Sequence, residues 1–171
     1  MSAIYRIRQF VRAAGAWVRA EDLEEVRSYL SPSAMSLFKA MPRYDRRHGI
    51  DVLHTLQVWG YEDPDLLAAA LLHDVGKTAD GEGRLRLWHR VAVVLMRRLW
   101  PGLLGAIGQD RPGSWRYPYS VQQRHAAIGA KEASKAGCPA SVVDLILHHE
   151  DQPQETDEPL LAALRAADSV N

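Results

Sequence analysis

The stretch Asp63-Pro64-Asp65-Leu66-Leu67-Ala68-Ala69-Ala70-Leu71-Leu72-His73-Asp74-Val75-Gly76-Lys77 decides the fold. Asp63 is a helix N-cap and Pro64 suits the first helical position, where its missing N–H costs nothing. Leu66 to Leu72 is apolar on every side, which predicts a helix buried all round rather than an amphipathic surface helix. Gly76 reads as the C-terminal stop. The buried helix ends on a His-Asp pair. A carboxylate there is costly unless paired or metal-bound, although the dipeptide alone also fits a surface helix C-terminus, where the dipole favours His.

Reading outward, the flanking segments are helical too. Ile4, Ile7, Phe10, Val11, Ala14, Trp17 and Val18 recur at helical spacing. A second helix starts near Glu21 and stops before Ser31-Pro32, and Ser33 caps a short helix through Met41. Residues 48–59 form the next helix, stopped by Gly60. Beyond the central stretch, helices are expected at 85–99, 122–136 (stopped by Gly137), 140–149 and 158–168, with 109–120 as an irregular loop. No period-two strand run, internal repeat or linker is present. The expected class is all-α: one compact domain overall, in which residues 1–41 are an N-terminal helical extension to a domain over 42–171.

Composition narrows the function. The chain has 171 residues, with 21 Lys+Arg against 21 Asp+Glu. General nucleic-acid binding is not expected without a basic excess. One cysteine, Cys138, leaves no internal disulfide and fits a reducing, cytoplasmic setting. Arg6, Arg8 and Arg12 interrupt any signal-peptide core, though the acid-free first 20 residues also fit a transit-type amphipathic helix. No apolar stretch approaches the ~18 residues of a membrane span.

Seven histidines is a high count, and several fall into order. The helix from His48 to Trp59 climbs ~16 Å and the helix from Asp65 to His73 descends ~12 Å. Joined by a short turn they run antiparallel, so His48 meets His73. His54 sits half-way up and ~120° round the helix from His48, and is read as structural. The device repeats: His125 begins a helix that ends at Gly137, His148-His149-Glu150 ends the following helix, and His149 lies on the apolar stripe of Val142, Leu145 and Ile146. Asp168 shares the stripe of Leu160, Leu161 and Leu164, a core-facing acid that needs a cation.

The ordered set His48, His73-Asp74 and Asp168 resembles the H…HD…D pattern of the HD superfamily of metal-dependent phosphohydrolases. Leu71-Leu72-His73-Asp74-Val75-Gly76-Lys77 is similar to that family's LLHDxGK segment, and Ala166-Ala167-Asp168 to its terminal helix. The resemblance covers about residues 42–171. It implies one metal on His48, His73, Asp74 and Asp168, and a second on Asp74, His125, His148 and His149, as in binuclear members such as the HD-GYP group. No Gly-Tyr-Pro follows Glu150, and position 44 is Tyr where trinuclear members place Glu. The likeness therefore stops short of cyclic-di-GMP hydrolysis and of a third metal.

What the resemblance implies is a hydrolase. One or two divalent transition ions (Fe, Mn, Co or Ni ahead of Mg, given the histidine-rich set) would cleave a phosphate ester of a nucleotide or other small phosphorylated metabolite through a metal-bridging hydroxide. Asp74 would bridge and Lys77 neutralise a phosphate oxygen. Mixed-valent di-iron oxygenases of the same superfamily share the ligands and are the alternative. A signalling module with a dead site would lack ligands, and none is lacking. Arg46, Arg47 and Arg124 adjoin ligands and either line the phosphate entry or form a solvated face. Trp115 to Tyr119 either stacks on a base or packs as satellite core, and Trp88 to Arg98 either covers the core or touches a membrane surface.

Overall fold

A computed structural model describes residues 18–77, 117–154 and 157–171. Among these, seven α-helices and one 3-10 turn occur, and no strand. They are α1 (Ala20–Tyr29), α2 (Pro32–Ala40), α3 (Arg43–Val58), α4 (Pro64–Leu72), the 3-10 turn Val75–Lys77, α5 (Tyr117–Lys135), α6 (Ala140–His148) and α7 (Pro159–Val170). The all-α expectation holds. The N-terminal segment (all but Val18), the 85–99 helix, His89 and Trp115-Arg116 lie outside the described residues. Among the described residues no helix is long and apolar enough to cross a membrane.

The centre is α4, whose residues Leu66 to Leu72 are all buried. Asp63 accepts from the backbone N–H groups of Asp65 and Leu66, so the expected cap forms. Around α4 pack α3, α6, α7 and α1. Ile50, Leu53 and Leu56 of α3, Leu145 and Ile146 of α6, and Leu164 of α7 close on it. Val26 of α1 and Met35 and Phe38 of α2 belong to the same core, so the first two described helices share the apolar interior that encloses the buried helix.

Four local expectations are corrected. The cap of α2 is Ser31, not Ser33: its side chain accepts from the Ala34 N–H, because Pro32 takes the first helical position and makes its predecessor the cap. Helix α3 starts at Arg43 rather than 48, its polar first turn carrying Asp45 at the positive end of the helix dipole. Helix α5 starts at Tyr117 rather than 122, with Pro118 in a first turn whose N–H groups need no helical acceptor. Gly76 does not stop α4, which ends at Leu72, and lies instead in the 3-10 turn. A Cβ on Gly76 would sit 2.0 Å from the His125 carbonyl oxygen and 2.5 Å from the Gly129 nitrogen. The glycine is there because two backbones touch. Gly137, with φ +77, does end α5 as expected.

Candidate metal centre

Two helical hairpins, α3/α4 and α5/α6, aim their open ends at one point, and the end of α7 closes on it. His48 comes from the first half of α3 and His73-Asp74 from the residues after α4. His125 lies within α5, His149 follows α6, and Asp168 lies near the end of α7. His73, Asp74, His125 and His149 are buried, with exposures of 1, 2, 1 and 5%. So many polar groups without water must satisfy one another or a guest.

His73 and His149 are set by the same device. Each is the C-cap of its helix. The His73 Nδ1–H donates to the Ala70 carbonyl at 2.9 Å, and the His149 Nδ1–H to the Ile146 carbonyl at 2.7 Å. Each ring therefore turns its Nε2 inward, available as a ligand. His73 Nε2 lies 3.5 Å from Asp168 Oδ1 and 3.6 Å from Asp74 Oδ1, ion-pair rather than hydrogen-bond distances. It is buried with no hydrogen-bond partner. His48 Nε2 is 2.8 Å from Asp168 Oδ1. On the other side, His125 Nε2 lies 3.2 Å from His149 Nε2 and 3.6 Å from Asp74 Oδ1. Lys77 Nζ donates to the same Asp74 oxygen.

These donors suit a cation. His48, His73 and Asp74 form one group and Asp74, His125 and His149 another, each with ligand atoms within 4.8 Å of one another. Bonds of about 2.0–2.2 Å hold ligands at most ~4.4 Å apart, so small adjustments seat an ion in either group. The buried His73 Nε2, which makes no hydrogen bond and faces two carboxylate oxygens at 3.5 and 3.6 Å, is the observation that asks for one.

The electrostatics agree. Burial alone raises a carboxyl pKa, yet Asp74 is held well below the usual range by Lys77, His73 and His125. Burial is likewise overcome at Asp168 by His48 and His73, which hold it well below its ordinary value. Burial lowers His73, but Asp74 and Asp168 overcome it and raise His73 to about 9. Burial and the neighbouring His73 charge push His149 down to about 4. Both carboxylates stay ionised, the state that ligates.

The structure brings together His48, His73, Asp74, His125, His149 and Asp168, with Lys77 against Asp74. It does not bring in His148. Its Nδ1 lies 2.7 Å from Asp151 and its Nε2 3.5 Å from Asp144, with the side chain 42% exposed. Adjacent helical residues point ~100° apart, so His149 takes the inward direction and His148 the outward one. His54 pairs with Glu25 at 2.9 Å, outside the cluster. Arg47 is held by Asp22 and Asp51, which accounts for it without a phosphate entry. Two nearby residues escaped sequence reading. Glu150 brings Oε1 to 3.7 Å from His125 Nε2. Arg165 of α7 donates from Nε and Nη2 to the His148 carbonyl at 3.2 and 2.7 Å, and from Nη1 to Asp157.

The family model of the HD domain matches residues 45–171. No curated protein and no solved structure matches the chain.

Proposed function

We propose, since the chain belongs to the HD domain family, that it is a metal-dependent phosphohydrolase acting on a phosphate ester of a nucleotide or other small phosphorylated metabolite. The observation that carries this reading is that Asp74 belongs to two ligand groups at once, one completed by His48 and His73 and the other by His125 and His149. His48, His73, Asp74 and Asp168 would hold one divalent ion, and Asp74, His125 and His149 a second. The histidine-rich set favours Mn, Fe, Co or Ni over Mg. Such ions supply Lewis-acid activation of water and of the phosphoryl group at neutral pH.

The chain's own residues do the rest. Asp74 is the shared carboxylate, kept ionised by the Lys77 ammonium. The Ala70 and Ile146 carbonyls lock the rings of His73 and His149. His48 Nε2 and Asp168 Oδ1 already stand side by side at 2.8 Å, as two ligands of one ion would. The two carboxylates cancel only part of the charge of two divalent ions, and Lys77 adds to what remains. The surplus favours an anionic substrate such as a phosphate ester.

The test is metal analysis of the purified protein followed by anaerobic assay with Mn(II) on a panel of nucleotide and sugar phosphates. Phosphate release that disappears in Asp74→Ala is the expected result. A chain inert to every phosphoester that consumes dioxygen when loaded with iron and reductant would belong to the oxygenase branch instead.

A further inference from the structure

Glu150 follows His149 just beyond α6, and its Oε1 lies 3.7 Å from His125 Nε2. Asp74 Oδ1 lies 3.6 Å from that same nitrogen and His149 Nε2 3.2 Å. Donors from two parts of the chain, Asp74 and the His149-Glu150 pair, thus converge on one buried ring. Glu150 differs from the others in exposure: 35% of its side chain meets solvent, against 1% for His125 and 3% for Asp74. It is the carboxylate at the mouth of the second group. His148, two residues before Glu150, is held outside by Asp144 and Asp151.

We infer that Glu150, and not His148, completes the second ligand group, closing the solvent side of the cation held by Asp74, His125 and His149. This rests on the two-cation reading above. A third carboxylate lowers the surplus charge of the centre and so tightens its hold on two ions, and its hard oxygen favours Mn or Fe.

The experiment strips the full chain of metal with chelator and titrates it with Mn(II). Free ion is followed by electron paramagnetic resonance, and bound ion is counted by elemental analysis. The wild type is expected to bind two equivalents. Glu150→Gln should weaken the second at least about tenfold and leave the first, Glu150→Asp should recover part of the loss, and His148→Ala should keep both. The retained first equivalent shows that the Gln variant is folded. Glu150→Gln binding both equivalents like the wild type overturns the inference, as does its loss of both, or a wild type that binds only one. A wild type that binds no Mn(II) removes the metal-dependent reading as well, so the two failures are distinguishable.

Discussion

His48 Nε2 lies 2.8 Å from Asp168 Oδ1, across 120 positions of the chain. The contact joins the first half of α3 to the end of α7 and places two ligand-type side chains beside His73. Neither residue is fully buried: the side chains are 25% and 31% exposed. Ion pairs this open contribute little stability, about 0–1 kcal/mol. Their close approach therefore bears on the site more than on the fold, since it presets two donors at the separation a shared ion requires.

His48→Ala should accordingly remove metal from the first group and abolish phosphate release, with only a small change in melting temperature. His54→Ala should leave metal content and activity near wild type. His54 and Glu25 form a half-buried pair, and the loss should be within about 1 kcal/mol. Elemental analysis of both variants after identical purification checks this. Loss of metal in His54→Ala with retention in His48→Ala would show that the α3/α4 hairpin pairs differently.

Gly76→Ala should be among the most damaging single-methyl changes in the chain. The added carbon would meet the His125 carbonyl at 2.0 Å and the Gly129 nitrogen at 2.5 Å, both backbone atoms that cannot rotate aside. Overpacking costs about 1–3 kcal/mol where side chains can give, so this site should reach the upper end or exceed it. Because α5 must move to admit the methyl, His125 leaves its place. Calorimetry should show a large fall in melting temperature, and residual folded protein should bind less metal in the second group. A wild-type melt would contradict the close approach.

Arg165 should act as a positioning residue. Its guanidinium spans the His148 carbonyl and the Asp157 carboxylate, and so ties α7 to the end of α6 that carries His149. Asp157 also accepts from the Gln154 N–H, which extends the tie into the following segment. Arg165→Ala should cost about 1.5–3 kcal/mol, the scale of hydrogen bonds to charged groups. It should also weaken the second metal equivalent more than the first. Arg165→Lys should rescue only part, since a point ammonium cannot span both acceptors. Equal binding of both equivalents in Arg165→Ala would reduce the residue to a purely structural role.

Much of this was legible in the sequence because it follows from helical periodicity. The all-apolar run Leu66 to Leu72 announces a buried helix, and Gly60 and Gly137 mark the turns about which each hairpin folds its histidines together. What periodicity does not carry is direction at a helix end. His148 and His149 look like an equivalent pair, although the ~100° step between neighbours turns His148 outward, where Asp144 and Asp151 meet it. Glu150 lies past the last helical residue, where the turn and not the stripe sets its course. Gly76 looks like a stop because a glycine needed for contact with a distant backbone carries no local sign of it. Arg165 grips a main-chain carbonyl, an acceptor that every residue has and no pattern reveals.

The metal-free chain should be most stable near pH 6.5. An unfolded histidine titrates at about 6.5. Burial opposes the charge on His73, but Asp74 and Asp168 prevail and raise it to about 9. From about 6.5 to 9 the folded chain holds a proton that the unfolded chain lacks, so this stabilisation is full below about 6.5 and drains away as pH rises. Burial and His73 lower His149 to about 4. From about 6.5 down to 4 the unfolded chain gains a proton that the folded chain refuses, and stability falls as pH drops. Asp74 and Asp168, both held below the carboxylate range, extend the acid loss. A divalent ion on His73 Nε2 displaces its proton, so loading with metal should abolish the alkaline decline and leave the acid one. Thermal melts from about pH 4 to 9, in chelator and in excess Mn(II), measure both limbs. Metal-free stability that climbs steadily between pH 6.5 and 9 would mean that His73 is neutral in the folded chain and that its carboxylate neighbours do not dominate its burial.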